Sequence, residues 1–116
     1  MRSDPTADAL KDIKANIALA QSFIGNLSFA EFQSDRRTVY AVTRCLEIIS
    51  EASRRLPAEL KQRYPDIPWS DIAAAGSVYR HAYQLIRDDF LWRTIQNSLE
   101  QLRIAVEHEL RQRGEN

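Results

Sequence analysis

Apolar residues recur every three or four positions along most of this 116-residue chain, which is the spacing of one face of an α-helix. Asp4-Pro5 is a helix-opening pair, with Asp as the N-cap and Pro at the first helical position. Gly25-Asn26 offers a C-terminal stop, so the first helix is predicted between these two signals. Its apolar stripe is Leu10, Ile13, Ile17, Ala20 and Ile24.

A short turn of helix is predicted next. Ser28-Phe29-Ala30-Glu31 matches a capping box, in which the serine oxygen and the glutamate carboxylate each satisfy a free backbone N–H. Phe29 and Phe32 are predicted to anchor this turn in the core. Asp35 is then predicted to cap the following helix.

The second long helix, from Arg36 to Leu56, carries two apolar seams. One comprises Val39, Val42, Leu46, Ile49 and Leu56, and the other comprises Ala41, Cys45, Ile48 and Ala52. A helix that is apolar over so much of its circumference is covered on two sides. The second seam could pack against another helix of the same chain or against a second subunit.

Two more long helices complete the pattern. Pro57 ends the second helix, residues 58–63 can make a short one, and Pro65-Asp66-Ile67-Pro68 enforces an extended loop because each residue before a proline is pushed out of helical geometry. The third long helix is predicted to start at Trp69, and Asp88-Asp89 to cap a fourth. The apolar positions of the fourth are Trp92, Ile95, Leu99, Leu102, Val106 and Leu110.

This pattern predicts an all-α fold, an antiparallel four-helix bundle with short additional helices. A chain of this length fits one domain, so residues 1–116 are predicted to form a single helical domain. Three glycines and four prolines leave the chain short of turn-forming residues, which agrees with a mostly helical fold.

Charge and composition exclude several function classes. Sixteen basic and sixteen acidic residues cancel, so any contact with RNA or phosphate must come from a local cluster. One cysteine and two widely separated histidines give no metal-ligand spacing, and no glycine-rich phosphate loop is present. No apolar run approaches the roughly 18 residues of a membrane span, and no signal sequence opens the chain. We therefore expect a cytoplasmic protein without metal or cofactor.

The stretch Gly76-Ser77-Val78-Tyr79-Arg80-His81-Ala82-Tyr83 contains the residues best suited to chemistry. Imidazole titrates near neutral pH, so His81 could donate or accept a proton in phosphodiester cleavage. Tyr79 and Tyr83 share a helix face and could stack on a base, although packing is the favoured role for Tyr79. The second histidine, His108, has the ordinary interpretation of a surface residue.

A charged face is predicted on the second long helix, formed by Arg44, Glu47 and Glu51. Glu51 can pair with Arg55 at four-residue spacing. The face is either a solvated charged stripe or the polar wall of a cleft or dimer seam.

Several spaced blocks, in the right order, resemble the HepT-like proteins of the HEPN superfamily. The blocks are Phe29 and Phe32 before Asp35, the run Arg44-Cys45-Leu46-Glu47-Ile48-Ile49-Ser50-Glu51-Ala52 with Ser50 where the family has Gly, Leu56-Pro57, Tyr64-Pro65-Asp66-Ile67-Pro68-Trp69, Ile72-Ala73, His81-Ala82-Tyr83 and Trp92. The resemblance covers nearly the whole chain.

The resemblance implies the toxin half of a toxin–antitoxin pair and a metal-independent endoribonuclease. The family signature is an Arg, four to six residues, a His, one residue and a Tyr. In it the Arg would neutralise the scissile phosphate, and His81 would be the general acid or base as the RNA 2′-hydroxyl attacks. The resemblance also implies a homodimer with two motifs at one cleft, and a minimal nucleotidyltransferase antitoxin that can transfer AMP to Tyr83.

This chain departs from the signature at the arginine. Alignment on Ile72-Ala73 and on the His81 motif places Gly76 at that position, which leaves Arg80 and Arg87 as candidate substitutes. Neighbours on a helix point about 100° apart, so Arg80 reaches the cleft of His81 only if the helix is broken or if it serves the other subunit. A kink at Gly76 would supply the break, although a tolerated glycine in a degraded motif is the simpler interpretation.

Three functional hypotheses therefore stay open. The first is a HepT-like ribonuclease that is weakened or acts through Arg80. The second is a catalytically inactive binding protein that keeps the fold, the dimer and the nucleotidyltransferase partner. The third is a helical interaction module with no link to RNA.

Overall fold

The computed structural model of the protein describes residues 4–81 and 84–114, and only the backbone of 77–81 and 84–86. Within these ranges the chain forms seven helices and no strand, which confirms the all-α prediction. The helices are α1 (Pro5–Ile24), α2 (Phe29–Ser34), α3 (Arg36–Arg54), α4 (Ala58–Gln62), α5 (Trp69–His81), α6 (Gln84–Asn97) and α7 (Leu99–Gln112). No helix of the described part combines the length and the apolar character needed to cross a membrane.

The long helices pack as an antiparallel bundle. α1 and α3 run in opposite directions, because Asp12 in the first half of α1 pairs with Arg55 just after α3, at 3.0 Å. α7 runs opposite to α1, because Arg113 after its last turn bonds Asp4 before the first turn of α1, at 3.1 Å. α6 and α7 follow each other with only Ser98 between them, so together they form the fourth long segment.

The local signals at the start of the chain are confirmed. The Asp4 carboxylate accepts hydrogen bonds from the N–H groups of Thr6 and Ala7, each at 3.1 Å. α1 ends at Gly25, whose φ of 50° lies in the left-handed region that a residue without a Cβ adopts at no steric cost. The predicted apolar stripe of α1 is buried throughout.

The capping box of α2 is also present, with both of its hydrogen bonds. Phe32 is fully buried and Phe29 is half-buried. Both rings contact Trp92 of α6, with centroids 5.5 and 5.8 Å away, respectively. This aromatic cluster fixes the short helix against the bundle, as the sequence predicted.

Helices of the same chain cover the first apolar seam of α3 fully and the second seam in part. The helix packs against α1 on one side and against α5 on the other. The first seam is buried along its length, and Cys45 and Ala52 of the second are buried too. Ala41 and Ile48 of the second seam are half-buried, which leaves part of that seam open to a second subunit.

The predicted start of the fourth long helix is wrong. α6 begins at Gln84, so Asp88 and Asp89 lie inside the helix rather than at its cap. Asp88 is fully buried and bonds Arg36 of α3 at 2.8 Å. A capping preference is visible in the sequence, whereas the distant arginine that stabilises a carboxylate inside a helix is not.

Candidate functional site

The predicted catalytic residues lie where α5 ends and α6 begins. The side chains of Tyr79, Arg80 and His81 fall outside the described part of the chain, and so does the whole of Tyr83. The surroundings of this segment are described on both sides: α5 up to Gly76, α6 from Arg87 onwards, and the length of α3.

α5 is helical without interruption from Trp69 through Gly76 to His81. The helix therefore continues through Gly76 as far as His81. Gly76 is buried. Arg80 follows one helical turn later, so positions 76 and 80 share one face of α5.

Two side chains of α3 bind the same backbone carbonyl of α5. The hydroxyl of Ser50 donates to the carbonyl oxygen of Ala73 at 3.0 Å, and a guanidinium N–H of Arg54 donates to it as well. Ser50 is only 2% exposed. This carbonyl lies one turn before Gly76, so α3 holds α5 directly ahead of the motif segment.

A second connection to α3 lies on the other side of that segment. Nη1 of Arg36 donates to Oδ2 of Asp88 at 2.8 Å and to the carbonyl oxygen of Gln33 at 3.0 Å. The other carboxylate oxygen of Asp88, Oδ1, is buried and has no hydrogen-bond partner in the described part of the chain. Arg87, the second candidate substitute for the motif arginine, is half-buried beside this ion pair.

The three residues of the predicted charged face of α3 do not all line the same surface groove. Arg44 and Glu51 line a surface groove of about 360 Å³ between α1 and α3. Glu47 is half-buried and is not part of the groove lining. The remaining lining residues are Asp12, Asn16, Ile48 and Arg55.

The pairing considered for Glu51 and Arg55 is replaced by another. Arg55 instead bonds Asp12 of α1 at 3.0 Å. The antiparallel packing of α1 brings this second carboxylate to the end of α3, a contact that no spacing within α3 could indicate.

A further polar cluster lies near the other end of the bundle, and sequence reasoning missed it. Glu109 of α7 is 4% exposed and binds both Arg63 and Tyr64. The bond to Arg63 is the main reason that the pKa of Glu109 is lowered, and desolvation is the main reason that the pKa of Tyr64 is raised, to about 12. His108 is exposed, as expected, with its ring centroid 6.3 Å from that of Tyr64.

This second cluster borders an open groove of about 400 Å³ between the loop after α4 and α7. Its charges are mutually paired, which is typical of a structural network. In residues 4–81 and 84–114, no three His, Cys, Asp or Glu side chains come together as a metal site. The predicted catalytic residues lie between the two connections to α3 in the sequence, and their role stays a prediction.

The all-α bundle and the sequence blocks around the His81 motif are those of a small helical protein of the HEPN superfamily. The chain belongs to the HepT-like family, because the family model described as "Ribonuclease HepT-like" matches residues 13–109. The match includes Gly76, the His81 motif and both connections to α3.

Two relatives extend this finding. The protein named "Probable ribonuclease HepT" from Thermococcus cleftensis is 36% identical over 96 residues, which cover 83% of this chain and 87% of the relative. A candidate RNase of Methanocaldococcus jannaschii is 33% identical over 90 residues, which cover 78% of this chain and 74% of that protein. No solved structure matched the chain.

Proposed function

We propose that this chain is the toxin component of a toxin–antitoxin pair and acts as a metal-independent endoribonuclease. The observation that carries the proposal is the family match, which spans the His81 motif, together with relatives named as ribonucleases. In the reaction the RNA 2′-oxygen attacks phosphorus and loses its proton, while the 5′-oxygen leaves and gains one. His81 supplies the general acid or base that such a transfer needs.

Arg80 is the proposed substitute for the missing motif arginine. Position 80 lies one turn beyond Gly76, so Arg80 stands on the face of α5 that the motif arginine would use. Because adjacent residues diverge by about 100° on a helix, Arg80 serves the phosphate at the His81 of the second subunit. Arg87 is the alternative, on the far side of the motif.

A homodimer is part of the proposal. Arg44 and Glu51 lie in one groove with Ile48 between them, and neither makes an ion pair within the described residues. Two copies related by a two-fold axis near Ile48 would place each Arg44 against the Glu51 of the other copy. Glu47 is adjacent to this axis. The contacts between Arg44 and Glu51 are therefore complementary in charge, whereas Glu47 would lie near the Glu47 of the other copy.

The proposed antitoxin is a minimal nucleotidyltransferase that silences the toxin by transferring AMP to the hydroxyl of Tyr83, with release of pyrophosphate from ATP. Tyr79 contributes packing next to the motif. The RNA substrate and this partner would place the action of the protein in the cytoplasm.

The second candidate is a catalytically inactive binding protein with the same partner. The observation that favours it is the burial of Gly76, the residue aligned with the motif arginine, since a buried glycine offers no charge to a phosphate. An enzyme that lost its phosphate-neutralising arginine would keep its fold and its dimer but lose most of its rate.

A cleavage assay on RNA in the presence of a chelator separates the two candidates. The wild type and His108→Ala, which changes the exposed histidine outside the motif, should cleave equally. His81→Ala should cleave roughly 100-fold or more slowly, because a positioned general acid or base contributes about that factor. Equal cleavage by all three proteins would exclude His81 catalysis. Absence of cleavage by the wild type would favour the binding protein.

A further inference from the structure

The segment between residues 74 and 87 is connected to one helix, α3, at both of its ends. On the α5 side, Ser50 and Arg54 both donate to the carbonyl oxygen of Ala73. On the α6 side, Arg36 binds the buried carboxylate of Asp88. No other described element supplies side-chain hydrogen bonds to these two points.

The two connections lie on the same side of α3. Arg36 and Arg54 are 18 residues, or about five helical turns, apart, and Ser50 lies within about 40° of both around the helix, so the three share a face. Arg36 and Ser50 are about 21 Å apart along the axis of an uninterrupted helix. A helix of this length is stiff, so the two points are held at a fixed spacing.

From this geometry we propose that Ser50, Arg54, Arg36 and Asp88 are positioning residues for the motif segment. They fix α5 up to Gly76 and α6 from Arg87 onwards relative to α3, and so they set the position of the motif that lies between them in the sequence. The effect on catalysis rests on the proposed function, whereas the effect on the order of the segment does not.

The two connections differ in chemistry. The Asp88 carboxylate has one oxygen on Arg36 and the other without a partner in the described part of the chain, so Arg36 is its main stabilising contact. Removal of that charge partner would leave an uncompensated buried charge. The Ser50 hydroxyl is neutral, so its loss removes one hydrogen bond to a carbonyl and leaves the packing nearly unchanged. Ser50→Ala is accordingly the milder probe.

The chain offers a matched control for each connection. Ser53 is as buried as Ser50, but its hydroxyl bonds the carbonyl of Ser50 within α3 itself, at 2.6 Å. Asp12 bonds Arg55 across two helices, as Asp88 does with Arg36, but joins α3 to α1. Ser53→Ala therefore removes a similar hydrogen bond, and Asp12→Asn removes a more exposed ion pair, and neither bond joins α3 to the motif segment.

Hydrogen–deuterium exchange tests the proposal with the full-length protein. Ser50→Ala should speed exchange of the backbone amides of residues 74–81 about fivefold. The reason is that one hydrogen bond contributes about 1 kcal/mol, and its loss shifts the local opening equilibrium by about that factor. Arg36→Gln should have a larger effect on the same peptide and on the start of α6. Ser53→Ala and Asp12→Asn should leave residues 74–81 at the wild-type rate.

Equal exchange in Ser50→Ala and the wild type, or a uniform rise that includes α1, would overturn the proposal. If Arg36→Gln does not fold, Ser50→Ala decides alone. RNA cleavage gives the second readout: a displaced His81 lowers kcat with KM unchanged, because RNA binding is retained while proton transfer is not. Faster exchange in a protein that never cleaves RNA would uphold the positioning role and reject the nuclease.

Discussion

The guanidinium of Arg63 makes two hydrogen bonds to the carboxylate of Glu109, Nη2 to Oε1 at 2.6 Å and Nε to Oε2 at 3.2 Å. The hydroxyl of Tyr64 donates to Oε2 as well, at 2.6 Å. Three donors thus replace the water that a buried carboxylate loses. They join the end of α4 to α7, which holds the loop that leads into α5.

Glu109→Gln should lower the free energy of unfolding by about 2 kcal/mol at neutral pH, because the buried charge pair is lost while an amide can still hydrogen-bond. The bond to Arg63 holds the pKa of Glu109 below its usual 4.5. Because the pKa is lower in the folded state, the ionised carboxylate stabilises the fold at every pH above the usual value. This stabilisation is lost as the pH falls through the folded-state pKa. Urea unfolding of both proteins over a pH series should show their difference shrinking below about pH 4.

Glu107→Gln is the control for that series, since Glu107 lies on the same helix and pairs with Arg103 within it, at 2.9 Å. It should change stability little at any pH. A difference between the wild type and Glu109→Gln that stays constant on acidification would contradict the assigned role of the carboxylate.

Tyr64→Phe should remove an unusual alkaline transition. Burial, and then the hydrogen bond to Glu109, raise the pKa of Tyr64 from 10.0 to about 12. A raised folded-state pKa stabilises the protein below the unfolded value, and this contribution is lost as the pH rises from 10 towards 12. Ultraviolet titration should show a late phenolate step that is missing in Tyr64→Phe, and the stability of the variant should fall less over the same range. An unchanged titration curve would show that another tyrosine carries the late step.

Charge reversal tests the proposed dimer seam. Arg44→Glu and Glu51→Arg should each weaken the homodimer about tenfold or more, because two exposed ion pairs become like-charge contacts in each dimer. An equimolar mixture of the two variants should form a heterodimer, in which every reversed charge meets its opposite. Light scattering after size exclusion measures both effects.

Arg111→Glu is the control for the seam, since it makes the same charge change on an exposed face of α7 and should leave the dimer intact. Dimers that persist in Arg44→Glu would place the seam elsewhere. A monomeric wild type would contradict the homodimer itself.

Gly76→Arg tests the missing-arginine explanation. Gly76 is buried, so the new side chain must extend along the helix surface until its guanidinium reaches solvent or the phosphate. If the guanidinium reaches the phosphate, the rate of RNA cleavage should rise roughly 100-fold, which is the usual effect of one well-placed electrostatic group. Gly76→Ala stiffens the helix without adding charge and should give no such gain. A folded Gly76→Arg protein that cleaves no faster than Gly76→Ala would argue against the explanation.

Helix ends and helix cores could be predicted because their signals are local. The Asp4 cap, the Ser28 capping box and the Gly25 stop each involve residues within four positions of one another. Three- and four-residue spacing likewise identified the buried faces of α1 and α3. The His81 motif was recognised from the blocks around it, and the family match agrees with that recognition.

The sequence by itself thus determined the all-α class, the helices other than the start of α6, the buried faces of α1 and α3, and the family. Tertiary structure decided the partners of the buried polar groups. Arg36 and Asp88 are 52 positions apart, and Arg63 and Glu109 are 46 apart, so no local pattern distinguishes them from ordinary surface charges. Buried charges require partners, and packing alone determines which distant side chain becomes one. For that reason Asp88 was expected to cap a helix, and in the fold it instead anchors α6 to α3.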